Sequence, residues 1–98
     1  MIIEKNMNGN ELVLKINGRL DTTTAPVFEN ELKGCLENVE KLVMDFKGLE
    51  YLSSAGLRVL LTAQKTMNKQ GEMVITNVND TIMEIFEITG FIDILSVE

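Results

Sequence analysis

The chain has 98 residues, 45% of them hydrophobic, and 9 basic and 15 acidic residues give a net charge of −6. This length and hydrophobic content predict one domain spanning residues 1–98 around a single core, which excludes a disordered or fibrous protein. The scattered basic residues argue against nucleic acid as a partner, because binding phosphates needs a basic patch.

Residue types that common hydrolytic chemistry needs are missing. There is no histidine, and Cys35 is the one cysteine, so a zinc site and a Ser-His or Cys-His pair are excluded. Cys35 is expected to be a small buried residue of a helix rather than a reactive thiol. No glycine-rich nucleotide-binding fingerprint is present. We therefore predict neither an enzyme nor a bound cofactor or metal.

The N-terminus, MIIEKNMNGN, does not combine a basic region with a long apolar run. No segment approaches the roughly 20 apolar residues that a membrane span needs. We expect a soluble, cytoplasmic protein that does not enter a membrane.

The first half of the chain predicts a β-hairpin and a helix. Residues 1–5 and 11–17 are interpreted as strands. In the second, Leu12, Leu14 and Ile16 alternate with Val13 and Lys15, and an Asn-Gly pair between the two segments favours a tight turn. A loop is expected over 18–24, ending in a threonine cluster suited to capping a helix. The helix that follows is expected to end near Asn38.

The second half predicts two further strands separated by a helix. Residues 41–46 form a short apolar run, typical of a strand inside a sheet. Apolar residues then recur at helical spacing from Leu57 to Met67, and Gly71 marks the expected end of this helix. Residues 72–76 are predicted to form the next strand.

The last part of the chain predicts another helix and an ambiguous tail. Residues 79–81 are expected to start this helix, and Gly90 should end it. Thr81 and Glu84 could form a capping box at its start. Residues 91–97 could form a strand or a short helix. The complete order predicts an α/β domain, a mixed β-sheet with an N-terminal hairpin and helical crossovers.

Ser53 and Ser54 lie where a strand would meet the start of a helix. In open α/β sheets, binding sites gather at the carboxyl edge of the parallel strands. The loop over 18–24 could reach the same edge, which would place Asp21 near Ser54.

Three roles are open to these serines. A helix cap is the commonest role and contributes about 1 kcal/mol. A nucleophile would need a base, and no histidine is available. A phosphate is the third, because free N–H groups and the helix dipole attract an anion. A phosphoserine there would be tolerated by the fold and would obstruct a partner docking over the helix end.

Three blocks of the sequence resemble the STAS domain family, and more narrowly the bacterial anti-sigma-factor antagonists. They are GRLD at 18–21 followed by Thr24-Ala25, LVMDF at 42–46, and YLSSAGL at 51–57. The resemblance covers nearly the whole chain, including its length and element order.

The resemblance implies a switch controlled by phosphorylation. Such antagonists bind an anti-sigma factor that is also a serine kinase, the kinase phosphorylates one serine to release them, and a serine phosphatase resets them. It implies no catalysis by the antagonist and a monomer when free. It places the phosphoacceptor at Ser54, with Ser53 as the alternative, and the family's loop aspartate at Asp21. The residues expected to contact the partner are Asp21, Thr22, Ser53, Ser54, Ala55, Gly56 and Arg58.

Some positions and one functional alternative stay open. Ser53 stands where many antagonists carry an acidic residue, and Arg58 where glycine is common. Gly56 could admit a partner closely or accommodate packing. Arg58 is expected to face solvent, with pairing to a phosphate on Ser54 as the alternative. The alternative function is a constitutive STAS interaction subunit, for example of a lipid-transport complex, in which the serines only cap.

Overall fold

The computed structural model describes residues 1–98 and contains five strands, three α-helices and a short 3-10 turn over Phe91–Asp93. The strands are β1 (Ile2–Asn8), β2 (Glu11–Leu20), β3 (Lys41–Asp45), β4 (Leu49–Leu52) and β5 (Glu72–Thr76). The helices are α1 (Ala25–Cys35), α2 (Ser54–Asn68) and α3 (Asp80–Thr89).

All five strands belong to one mixed sheet. Its order is β1-β2-β3-β5, and β4 pairs with the last residues of β2, beyond the part that pairs with β3. The hairpin pair β1–β2 is antiparallel, and the other pairs are parallel. The predicted α/β architecture with an N-terminal hairpin and helical crossovers is confirmed.

The hydrophobic core lies between one face of the sheet and the helices. Along β2, Leu12, Leu14 and Ile16 are buried and alternate with more exposed residues, as expected of a strand with one buried face. All three helices contribute buried side chains to the same cluster, among them Phe28 of α1 and Phe86 of α3. None of the helices combines the length and apolar character needed to cross a membrane.

Strand β2 is longer than predicted, and β4 was not predicted as a separate strand. The expected loop over 18–24 is wrong for residues 18–20, which continue β2 to Leu20. Gly18 has a φ of +104°, and the register of the pairing with β4 shifts between Gly18 and Arg19. This irregularity accompanies the change of partner from β3 to β4, and a bulge of this kind commonly requires glycine.

One predicted helix end and one predicted helix cap are also wrong, although α3 starts where it was predicted to start. Helix α1 ends at Cys35 rather than near Asn38, which has a φ of +65°. The capping box of Thr81 and Glu84 does not form, because Asn79 caps α3 by accepting the Ile82 N–H at 2.9 Å. Gly90 ends α3 in the left-handed conformation, as predicted.

The tail after α3 combines both predicted alternatives. A 3-10 turn comes first, and Val97 then forms an isolated parallel bridge with Ile75 of β5. Gly71 does follow α2, but its φ is not left-handed. A Cβ there would lie 1.8 Å from the Glu40 carbonyl oxygen, so the close approach of the backbone explains this glycine.

Candidate functional site

Strands β2 and β4 end side by side and position two loops. Leu20 pairs with Leu52, and the Ser53 N–H donates to the Leu20 carbonyl at 2.9 Å. Asp21 directly follows Leu20, and Ser54 directly follows Ser53. Asp21 and Ser54 therefore each follow one of the two residues joined by this hydrogen bond. Both lie at the carboxyl edge of two parallel strands.

The two serines differ in what their hydroxyls do. Ser53 is the N-cap of α2, and its Oγ accepts the Gly56 N–H at 3.4 Å. Ser54 is the first residue of the helix; it is exposed, and its hydroxyl makes no hydrogen bond within the chain. One hydroxyl thus contributes to the fold, while the other is available to a partner.

The start of α2 is suited to a negative charge on Ser54. The N-terminal end of a helix carries free N–H groups and a partial positive charge. No acidic residue lies in the first turn of α2, so no negative side chain in that turn already neutralises the partial positive charge. Phosphate groups are bound at helix N-termini for these reasons.

Asp21 organises the turn that leads into α1. Its Oδ1 accepts the N–H groups of Thr23 at 3.0 Å and Thr24 at 3.1 Å, and its carbonyl accepts the Ala25 N–H at 2.8 Å. Thr24 makes no capping bond; its hydroxyl donates to the Arg19 carbonyl at 2.7 Å. The prediction that the threonine cluster caps this helix is therefore wrong for Thr24, and the Asp21 carboxylate instead binds the N–H groups of the turn that precedes the helix.

The same contacts hold Asp21 in its charged form. The hydrogen bond from the Thr24 N–H, with that from Thr23 and the charge of Arg19, lowers the pKa of the Asp21 carboxyl despite its partial burial. The carboxylate therefore keeps its negative charge at neutral pH, at the edge where Ser54 begins its helix.

Arg19 and Tyr51 complete this surface, and sequence reasoning missed both as site residues. The Arg19 guanidinium lies 4.3 Å from the centre of the Tyr51 ring and its Nε is 3.6 Å from Asp21 Oδ2. The two residues pair across β2 and β4, and Tyr51 is 41% exposed. Both residues lie inside the segments that resemble the STAS family, 18–21 and 51–57, and this position could have marked them as site residues. Their contact with each other could not be predicted, because it depends on strand β4.

The remaining predicted contact residues differ in accessibility. Thr22 and Arg58 are exposed, and Ala55 is half-buried. Gly56 is buried, and a Cβ there would lie 2.7 Å from Leu52 Cδ1 and 2.8 Å from Leu20 Cγ. Packing of α2 onto the ends of β2 and β4 is therefore sufficient to explain this glycine.

The side chains give little support for a reactive thiol or a metal site. Cys35 is half-buried, and this burial raises the pKa of its thiol, which disfavours the reactive thiolate. No cluster of three or more Cys, Asp or Glu side chains has the arrangement needed to hold a metal ion.

The two serine roles predict different effects on stability. Ser53→Ala removes the cap of α2 and should lower the free energy of unfolding by about 0.5–1 kcal/mol. Ser54→Ala removes an exposed hydroxyl without a hydrogen bond and should change it by less than about 0.5 kcal/mol. Urea denaturation of both variants measures the difference. Equal losses would contradict the division of roles.

The chain belongs to the STAS domain family, since the family's model matches residues 3–98. Several relatives are named as antagonists of anti-sigma factors. BtrV of Bordetella bronchiseptica, provisionally named as one, is 36% identical over 88 residues, which cover 88% of this chain and 76% of BtrV. The anti-sigma-B factor antagonist of Bacillus subtilis is 29% identical over 96 residues, covering 97% of this chain and 88% of its own.

Solved structures share the fold. An anti-sigma factor antagonist from Mycobacterium paratuberculosis superposes with a TM-score of 0.88 at 20% identity, covering 98% of this chain and 83% of that one. The Bacillus cell fate determinant SpoIIAA, in its phosphorylated form, superposes with a TM-score of 0.76 at 16% identity, covering 99% of this chain and 91% of that one.

Proposed function

We propose that this protein is an anti-sigma factor antagonist, which binds an anti-sigma factor with serine kinase activity and is released when that kinase phosphorylates Ser54. The names of its relatives support the class of function. The main observation in favour of the switch is the exposed Ser54 hydroxyl, which makes no hydrogen bond within the chain, whereas the neighbouring Ser53 caps the helix.

Electrostatics explain how one phosphate could separate the two proteins. A phosphoserine adds close to two negative charges. Within the free antagonist, the N-terminus of α2 offsets part of this charge, so the fold tolerates it. Across a docked interface the same charge would be desolvated next to the charged Asp21, which weakens the complex. Removal of the phosphate by a phosphatase would restore binding.

A kinase assay with serine variants tests the proposal. The wild type, Ser53→Ala and Ser54→Ala are incubated with ATP and an anti-sigma factor kinase of the source organism, and their intact masses are measured. We expect one added phosphate on the wild type and on Ser53→Ala, and none on Ser54→Ala.

The other outcomes each change the proposal in a defined way. Phosphate on Ser54→Ala but not on Ser53→Ala would move the acceptor to Ser53 and overturn the assignment of roles. Stable binding to the kinase with no phosphate on any variant would reject the switch and favour a constitutive interaction subunit.

A further inference from the structure

One face of the sheet lies outside the helix-packed core. Val74 of β5 is only 5% exposed, yet it does not belong to the continuous cluster that contains the buried residues of the helices. Val13 and Val43 are half-buried and do not pack against that cluster either. These three valines alternate with core residues along their strands, so they lie on the opposite face, hereafter the open face.

The valines form a continuous row across the open face. Val13 of β2 is the register partner of Val43 of β3, and Val43 is the partner of Val74 of β5. An apolar row across three adjacent strands, unlike scattered exposed valines, is a feature of sheets that pack against another layer.

Charged residues flank the valine row two positions away along β2 and β3. On one side, Glu11 of β2 pairs with Lys41 of β3; on the other, Lys15 pairs with Asp45. Across these two strands the order of signs is therefore negative then positive in the first row, and positive then negative in the second. On the outer strands, Glu72 extends the first row and Glu4 the second, and the residues across the valine row from them, Thr76 and Asn8, are uncharged. Reversal of sign between the rows makes the surface complementary to itself.

We propose that two copies of this chain dimerise through their open faces, related by a twofold axis along the valine row. This axis exchanges the two charged rows. Lys15 of each copy then faces Glu11 of the other, and Lys41 faces Asp45, while the half-buried Val13 and Val43 meet their counterparts at the axis. A twofold interface requires self-complementarity of this kind.

The charges also exclude the other simple twofold arrangement. An axis parallel to the strands through β3 would place Lys41 opposite Lys41 and Asp45 opposite Asp45, so like charges would meet. The valine row is short, so the interface is small and the dimer is weak, with monomers at low concentration. The family resemblance implies a monomer when free, and the proposed dimer departs from that expectation.

The open face is separate from the proposed switch. Helix α2, which begins at Ser54, packs on the opposite face of the sheet and stays accessible in the dimer. The dimer therefore does not depend on phosphorylation, and its failure would leave the proposed function untouched.

Sedimentation equilibrium of the full chain tests the dimer, from about 10 μM to about 1 mM, a range suited to weak association. We expect the wild type to dimerise. Lys15→Glu and Glu11→Lys should each raise the dissociation constant at least about tenfold, because two attractive pairs become repulsive. Mixed in equal amounts, these two variants should form a heterodimer, since all their facing charges are again opposite.

Lys33→Glu, an equal charge change on the exposed surface of α1, is the matched control and should dimerise like the wild type. A wild type that stays monomeric over the whole range would overturn the proposal. So would unimpaired dimers of Lys15→Glu, or a mixture that remains monomeric, because either result places any contact elsewhere.

Discussion

Ser54→Asp is expected to bind the anti-sigma factor about 100-fold more weakly than the wild type, a loss of about 3 kcal/mol. The substitution puts a permanent negative charge on the first residue of α2, at the edge where Asp21 is already charged. Burying it under a partner leaves it without an opposite charge. The fold should not suffer, because a negative charge at this position stabilises a helix slightly. Isothermal titration calorimetry measures the affinity and urea denaturation the stability.

The neutral variant Ser54→Asn separates charge from size. It should bind much more tightly than Ser54→Asp, because its side chain has nearly the same shape without the charge. Ser54→Ala should bind like the wild type and stay bound when ATP is added. Wild-type affinity in Ser54→Asp, or equal losses in Ser54→Asn and Ser54→Asp, would refute the electrostatic explanation of release.

Alanine at Gly56 is expected to lower the free energy of unfolding by about 1–2 kcal/mol. The new Cβ would lie 2.7 Å from Leu52 and 2.8 Å from Leu20, both of them buried, so the start of α2 must shift or the core must deform. Alanine at Gly34 provides a control of opposite sign. A Cβ there meets nothing within 4 Å, so alanine in α1 should stabilise the protein by about 0.5 kcal/mol.

Urea denaturation of Gly56→Ala and Gly34→Ala compares these effects directly. A Gly56→Ala protein as stable as the wild type but unable to bind the anti-sigma factor would show that the glycine serves partner contact instead of packing. Parallel loss of stability and binding fits a displaced helix start, because Ser54 lies two residues before Gly56 in the same first turn.

The periodic segments of the fold were accessible from sequence, and the short irregular ones were not. Strand β2 alternates clearly from Leu12 to Ile16, and α2 carries apolar residues at helical spacing, so both were predicted. Strand β4 has four residues with a buried pair at its ends, a pattern without alternation. Its pairing with the end of β2 joins segments about thirty positions apart, and local patterns do not report such contacts.

Asp21 and the two serines were expected at one edge of the sheet, but the hydrogen bonds that each of them makes were not predicted. Neighbouring serines at a helix start look equivalent in sequence, and only backbone conformation decides that Ser53 caps while Ser54 is exposed. Asp21 was expected at this edge from topology, yet its bonds to the following turn depend on local geometry. The stacking of Arg19 on Tyr51 required the unpredicted β4.

The hydrogen bond from the Ser53 N–H to the Leu20 carbonyl affects which forms of the protein a kinase could recognise. The surface around Asp21 and Ser54 is assembled from two segments that are distant in sequence and meet only when β2 and β4 pair. A kinase that contacts both segments finds its complete epitope on a folded molecule and lacks half of it on a nascent chain or a proteolytic fragment. Under the proposed function, the kinase would therefore phosphorylate folded copies and not unfolded chains or proteolytic fragments.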